Sequence, residues 1–171
     1  MPSARSEEKQ QEMRSAIAFL NSKLTAVVSY TAADGKVHSA TVFYWVSDVT
    51  PDGFSVYFVT RRNARKFSSI VAIPSVAIVV GAELEPMTMQ IEGEALPVDA
   101  ADGLGSLDEL DKRLADKPNL KMLYGGAFFP KNPFSSLEGV DFAIICVKPT
   151  WARFMHRNSE TQAIEFLQVL P

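Results

Sequence analysis

Residues 56–80, VYFVTRRNARKFSSIVAIPSVAIVV, decide the fold of this chain because they predict a strand, a basic turn, a short helix and a second strand. Residues 56–60 are β-branched and aromatic, as is typical of a buried strand. A short helical segment follows the turn, and Pro74 ends it. Residues 76–80 predict the second buried strand.

A cluster of positive charge lies between the first of these strands and the helix. Its members are Arg61, Arg62, Arg65 and Lys66, in a chain whose formal net charge is -3. Asn63 is predicted to cap the helix, whose first turn has free backbone N–H groups. Because cationic side chains and a helix N-terminus both stabilise an anion, the cluster predicts a phosphate site. The alternative interpretation is a solvated, charged turn.

The composition is that of an ordinary globular protein. The 171 residues are 47% hydrophobic and 22% charged, which is sufficient for one domain with a full core. The slight negative charge argues against a general nucleic-acid-binding protein, so the basic cluster is a local feature. Cys146 is the single cysteine and lies in an apolar run, so we interpret it as a buried thiol. A single cysteine excludes an internal disulfide and a cysteine-based zinc site.

Neither a signal peptide nor a membrane-spanning segment is predicted. The first 15 residues are polar and mixed in charge. The longest apolar stretch, residues 69–82, is broken by Pro74 and is too short to cross a bilayer. We therefore expect a cytoplasmic protein without a membrane partner.

Hydrophobic periodicity predicts a helix followed by a series of strands. The helix is expected over about residues 6–23. Residues 25–60 predict a meander of three antiparallel strands joined by turns. Residues 87–98 alternate between apolar and polar side chains, and Gly93 among them indicates a bulge or a close backbone approach. Residues 140–157 supply two further strand segments.

These elements predict a mainly β fold, a small closed β-barrel of six to eight mostly antiparallel strands with peripheral helices. Residues 1–171 are expected to form one domain, with the barrel over about 25–157. The C-terminal tail, 158–171, is apolar enough to dock as a strand or a helix. Short helices are expected within 107–124, and the phenylalanine-rich loop 128–134 is expected against a partner chain, over a pocket or on its own core.

Three segments of the sequence occur in an order and at a spacing typical of one protein family. They are the hairpin strands 26–30 and 40–43, the motif Phe58-Val59-Thr60 with Arg65-Lys66 and 73–77 after it, and the strand 89–95. Together they resemble the pyridoxamine-5′-phosphate-oxidase-like family of FMN-binding split barrels. The resemblance covers about residues 13–98 and extends more weakly to residue 157.

The resemblance implies an antiparallel split barrel that forms a homodimer, with FMN held between the two subunits. By position, Arg65 and Lys66 correspond to phosphate ligands, and Thr60 corresponds to a hydroxyl donor to the phosphate or the ribityl chain. The resemblance implies further cofactor-binding positions. Val59 lies beside Thr60, and the strand that contains Thr41, Val42, Phe43 and Tyr44 would run along the flavin. Thr88 and Gln90 would reach the ring, and Trp151 and Arg153 would cap it from the other subunit. Phe43, Tyr44, Trp45 and Trp151 are candidates for a flat apolar slot around the ring.

Two departures separate this chain from the family's pyridoxamine phosphate oxidases. Thr41 stands where those enzymes usually have arginine, so one phosphate contact is missing, and Arg61 or Arg62 is a candidate replacement. Residues 166–171 do not contain the Arg-Leu substrate motif of those enzymes. The resemblance therefore argues against pyridoxamine phosphate as the substrate.

The combined prediction is an FMN-dependent oxidoreductase that acts on an unidentified small substrate. Flavin itself performs hydride and electron transfer, so the sequence need not supply a catalytic acid or base, and we identify none. Three alternatives stay open: a deazaflavin-dependent reductase, a haem-binding or haem-degrading protein with His156 as ligand, and a flavin-binding protein without turnover. His38 and His156 are otherwise interpreted as surface or packing residues, and no metal site is predicted.

Overall fold

A computed structural model describes residues 4–47, 49–50, 53–81, 86–98, 142–158 and 161–170. These residues form two helices and seven strands. In chain order the elements are α1 (Ala4–Ser22), β1 (Thr25–Thr31), β2 (Val37–Val46), β3 (Val56–Arg61), α2 (Arg65–Ala72), β4 (Ser75–Gly81), β5 (Thr88–Val98), β6 (Phe142–Arg157) and β7 (Ile164–Leu170). The mainly β fold predicted from the sequence is confirmed.

The seven strands form one sheet in the order β3-β2-β1-β4-β5-β6-β7, and every pairing between neighbours is antiparallel. An additional ladder between β3 and β6 closes the first six strands into a barrel. Among the described strands, β7 pairs with β6 alone and lies outside the closed ring. The predicted barrel of six to eight antiparallel strands is therefore confirmed, and the C-terminal tail docks as a strand.

Alternate residues of the strands fill the barrel interior. Val28, Phe58, Ile78, Ile91 and Ile145 come from five different strands, and each is at most 1% exposed. Successive side chains of a strand point to opposite faces, so the apolar alternation in the sequence places one set inside and the other outside. Burial of the inner set is the main stabilising contribution to the fold.

Helix α1 covers the end of the barrel at which β1 begins. Ala16, Phe19 and Leu20 are buried against the strands. The hydroxyl of Tyr44 donates a hydrogen bond of 2.5 Å to the carbonyl oxygen of Leu20. Burial raises the pKa of Tyr44, so this hydroxyl stays protonated and ties the helix to β2. The helix ends at Ser22, within the predicted range.

Helix α2 covers the opposite end, where β3 ends and β4 begins. Ile70 is fully buried against the barrel, whereas Val71 is 54% exposed. The predicted Asn63 cap is wrong, because α2 begins at Arg65 with Ala64 in the N-cap position and no side chain capping it. The first turn of α2 therefore keeps backbone N–H groups that no side-chain cap satisfies.

Some predictions fall on residues outside the described ranges. The short helices expected within 107–124 and the loop 128–134 are among them. Within the described ranges, Cys146 on β6 is a buried free thiol, as predicted. The two described helices are not long and apolar enough to cross a membrane.

Candidate functional site

The barrel opens between β2 and β3. The ladder between these strands covers three residue pairs and stops at Tyr44 and Phe58. Beyond that point β2 stays paired with β1 as far as Val37, while β3 stays paired with β6 as far as Arg61. The two strands diverge, and among the described residues no ladder joins them beyond that point, so backbone groups on these edges are candidate donors and acceptors for a ligand. We call this opening, between residues 37–43 and 59–61, the split.

The split brings together the predicted site residues of β2, β3 and α2. They are Thr41, Val42, Phe43, Tyr44, Val59, Thr60, Arg65 and Lys66. Val42 and Tyr44 are at most 5% exposed and belong to the barrel core, and Tyr44 is in the last β2–β3 pair, next to the split but outside it. Tyr44 therefore does not line an apolar slot. Thr41 is exposed, and Phe43 and Val59 are partly exposed.

Lys66, in the first turn of α2, carries a partly desolvated positive charge. Its Nζ lies 5.5 Å from the ring centroid of the buried Phe58. Burial lowers the pKa of Lys66, because removal from water disfavours the ammonium form. No carboxylate of the described residues forms an ion pair with it. A bound anion would therefore offset an unfavourable desolvation of this side chain.

Arg65 connects the two sides of the split. Its Nη2 lies 3.2 Å from Nδ1 of His38, which is on the diverging part of β2. The side chain of Arg65 is otherwise exposed. Arg65 and Lys66 are thus both in the first turn of α2, Arg65 in contact with His38 and Lys66 above Phe58, beside backbone N–H groups that no side-chain cap satisfies.

Arg61 and Arg62, the candidate replacements for the missing arginine, are both exposed at the end of β3. The guanidinium of Arg62 lies 5.4 Å from the ring centroid of Phe67 on α2. This cation–π contact directs Arg62 along the helix. Both side chains are within the same turn as Arg65, so the positive charge of the cluster is concentrated at one end of the split.

An apolar layer lies on the outside of the barrel next to the split. It contains Phe43, Trp45, Tyr57, Val59 and Ile144. The rings of Trp45 and Tyr57 are stacked, with centroids 5.4 Å apart and planes at 12°. Nε1 of Trp45 is buried and has no hydrogen-bond partner among the described residues. Trp45 and Ile144 are only 4% and 1% exposed, so the partly exposed Phe43, Tyr57 and Val59 are the members of the layer that a planar ring could contact.

Part of this layer was accessible to prediction from the sequence. Alternation along β3 places Tyr57 and Val59 on the face opposite Phe58. Tyr57 could therefore have been predicted from the alternation, although it is not among the positions that the family resemblance implies. Ile144 carries no such signal. It joins the layer only through the β3–β6 ladder, where it pairs with Val59.

Four predicted site residues lie elsewhere. They are Thr88 and Gln90 on β5 and Trp151 and Arg153 on β6. Strand β5 is three strands away from β2 in either direction around the barrel. Within one chain these side chains therefore do not share a site with the residues of the split.

Arg153 is held on that other side by neighbours of its own chain. Its Nη2 donates a hydrogen bond of 2.8 Å to Oε1 of Gln90. Its guanidinium lies 5.4 Å from the ring centroid of Trp151 and 5.1 Å from that of Phe166 on β7. Thr88 is only 8% exposed. Trp151 and Arg153 thus form a cluster with Gln90 and Phe166 that is remote from the split of the same chain.

His156 is also remote from the split. It lies at the α1 end of the barrel, with its ring stacked on Phe154 and its Nε2 3.7 Å from Oε2 of Glu165. A cavity of about 490 Å³ next to it is lined in part by Glu12 and Ser15 of α1. No group of three or more potential metal ligands occurs in the described part of the chain.

Comparison with known proteins finds solved structures that share this architecture. The sequence matches no protein-family model and no curated protein. A Listeria innocua protein provisionally identified as a pyridoxamine 5′-phosphate oxidase is 15% identical, with a TM-score of 0.56 over 83% of this chain and 96% of that chain. General stress protein 26 of Bacillus anthracis is 20% identical, with a TM-score of 0.55 over 91% and 97% of the two chains.

A third structure, from Clostridium acetobutylicum, is related to general stress protein 26 and described as a member of the pyridoxinephosphate oxidase family. It is 8% identical, with a TM-score of 0.56 over 92% of this chain and 94% of that chain. At such low identities the likeness concerns the fold. It agrees with the resemblance that the hairpin, the Phe58-Val59-Thr60 motif and the strand 89–95 indicate.

Proposed function

We propose that this chain, which has the fold of the pyridoxamine 5′-phosphate oxidase-like split barrels, binds FMN at the split and serves as an oxidoreductase for a small substrate. The observation that carries the proposal is the half-buried Lys66 ammonium at the split, which forms no ion pair within the described residues. The phosphate of FMN has the charge and the geometry to compensate it.

The residues at the split fit the three parts of FMN. Lys66, Arg65 and the uncapped first turn of α2 would hold the phosphate. The diverging strand edges at 41–43 and 59–61 offer backbone donors and acceptors to the polar edge of the ring. The outer apolar layer offers a surface for the planar ring.

Bound flavin supplies hydride and electron transfer, and the protein's part is to hold the ring, orient it and limit its contact with water. The backbone edges of β2 and β3 would fix the orientation of the ring, because each has a defined direction in the closed barrel. Phe43, Tyr57 and Val59 would exclude water from one face of the ring. We assign no catalytic acid or base.

A second copy of the chain completes the proposed site. Several large apolar side chains are exposed on the outside of the barrel strands and β7: Val27 at 42%, Val79 at 37%, Leu96 at 49% and Phe166 at 57%. Such a surface favours association with another protein surface. In a symmetric dimer, the partner's Trp151 and Arg153 would cap the ring held by the first chain.

Sedimentation velocity recorded at the absorption of bound flavin tests this proposal. The chain mixed with FMN is expected to carry flavin in a dimeric species, and dilution that produces monomer is expected to release the flavin. A monomer that retains flavin would contradict the shared site.

The absorption spectrum of the purified protein distinguishes flavin from deazaflavin and haem, because each chromophore has its own band pattern.

The pH dependence of FMN binding tests the assignment of Lys66. Burial lowers the pKa of this side chain, so raising the pH removes its proton earlier than from an exposed lysine. FMN affinity is therefore expected to fall at alkaline pH. A bound phosphate would stabilise the ammonium form and so raise the pKa of Lys66 in the complex. A Lys66→Arg variant keeps its charge over this range and should not show the same fall. Equal alkaline losses in both proteins, measured by fluorescence titration, would exclude Lys66 as the titrating group.

A further inference from the structure

His38 lies where β2 has separated from β3, and its ring is held in place from two sides. It pairs with Tyr30 in the β1–β2 ladder, and the two ring centroids are 6.0 Å apart. Tyr30 is 6% exposed and belongs to the core. On its other contact the ring meets the Arg65 guanidinium of α2. The His38 ring therefore has two neighbours, Tyr30 and Arg65, beside the split.

The contact between His38 and Arg65 has a defined chemistry. Arg65 Nη2 can only donate, so at 3.2 Å the Nδ1 of His38 is the acceptor. This requires the neutral imidazole with its proton on Nε2. One N–H of the guanidinium is used, and the others stay available for an anion.

Arg65 needs such support because it is an exposed side chain with many rotamers. An arginine that moves freely loses conformational entropy when it binds a phosphate, and one already held in place loses less. In the described part of the chain, His38 is the only hydrogen-bond partner of the Arg65 guanidinium. The backbone carbonyl of Arg65 accepts a separate bond from Ser68, which does not restrain the guanidinium.

We infer that His38 is a positioning residue for the phosphate site: it holds the Arg65 guanidinium across the split in the orientation that binds the FMN phosphate. This inference rests on the proposed function, because it assigns a further residue to the same site. It goes beyond the sequence interpretation of His38 as a surface or packing residue, and it concerns a residue on the strand opposite to the basic cluster.

Titrations of the full chain with FMN and with riboflavin, which lacks the phosphate, test the inference. His38→Phe keeps an aromatic ring next to Tyr30 and loses the acceptor. It is expected to weaken FMN binding by about three- to tenfold, the effect of one hydrogen bond, and to leave riboflavin binding unchanged. His38→Asn places an amide oxygen near the position of Nδ1 and is expected to restore FMN affinity. Val71→Ala, at an exposed position of α2 outside the split, is the matched control.

The ratio of FMN to riboflavin affinity separates positioning from a structural role. Equal losses for both ligands in His38→Phe, or a failure of His38→Asn to restore FMN binding, would overturn the assignment of His38. If the wild type prefers FMN over riboflavin and His38→Phe keeps the same ratio of the two affinities, the assignment of His38 is wrong but the proposal of FMN binding stands. If the wild-type chain binds FMN no more tightly than riboflavin, the phosphate site itself is wrong.

Discussion

Replacing Arg65 and Lys66 together by alanine is expected to weaken FMN binding by about two to four orders of magnitude, since each charge-assisted bond to phosphate contributes roughly 1.5–3 kcal/mol. Arg65 is exposed, and the ammonium of Lys66 is partly desolvated without an ion-pair partner in the described residues. Removing them therefore takes away no ion pair that stabilises the described fold. Fluorescence titration measures the affinity, and the unfolding transition checks that the barrel stays intact.

The matched control for this double variant is Arg14→Ala with Arg157→Ala. Both arginines are exposed, and they belong to α1 and the end of β6, at the other end of the barrel. The control removes the same amount of charge without touching the split. If both double variants lose affinity equally, the loss reflects the change in the overall charge of the protein and not a specific site. If neither loses affinity, the phosphate does not bind at the start of α2.

Replacing Gly93 by alanine is expected to destabilise the barrel by about 1–3 kcal/mol or more, as overpacking of a filled site does. The ladder between β5 and β6 shifts register between Glu92 and Gly93. An added Cβ would overlap the backbone oxygen of Lys148 and lie 3.0 Å from Cα of Pro149. Both contacts are with backbone atoms, so no side-chain rotation relieves them, and the two strands have to separate. Thermal or denaturant unfolding measures the loss.

Gly35→Ala is the comparison that separates overpacking from backbone strain. Gly35 has a φ of 77° in the β1–β2 turn, and an added Cβ would meet nothing within 4 Å. Its replacement is expected to cost roughly 1–2 kcal/mol, the strain of a left-handed conformation alone. A Gly93→Ala variant as stable as the wild type would mean that the backbone of Lys148 and Pro149 leaves room for a Cβ at position 93.

The bulge shows how far local sequence supports a structural prediction. A glycine inside an otherwise regular alternation indicates a bulge or a close approach, and Gly93 has both. The identity of the approaching backbone, at Lys148 and Pro149, does not follow from that pattern. Fifty-five or more residues separate the two segments, and only the closed barrel brings them together.

Local patterns were wrong at one place and left two alternatives open at another. Asn63 is a good capping residue in the right neighbourhood, but α2 begins two residues later, at Arg65, so the cap position belongs to Ala64. The C-terminal tail was equally compatible with a strand and a helix. The tail forms a strand because it pairs with β6, with Arg157 opposite Ile164 and Ala152 opposite Leu170.

What the sequence by itself determined is local: the periodicity of the strands, the basic turn, and the positions of Arg65 and Lys66 at the start of a helix. These depend on neighbours a few residues apart, and alternation and charge spacing express them directly. Only the tertiary structure decided that β3 leaves β2 to pair with β6. It alone places His38 beside Arg65, 27 residues away in the chain. Such contacts arise from closing the barrel, and their energies depend on all the strands at once, so no single segment carries their signal.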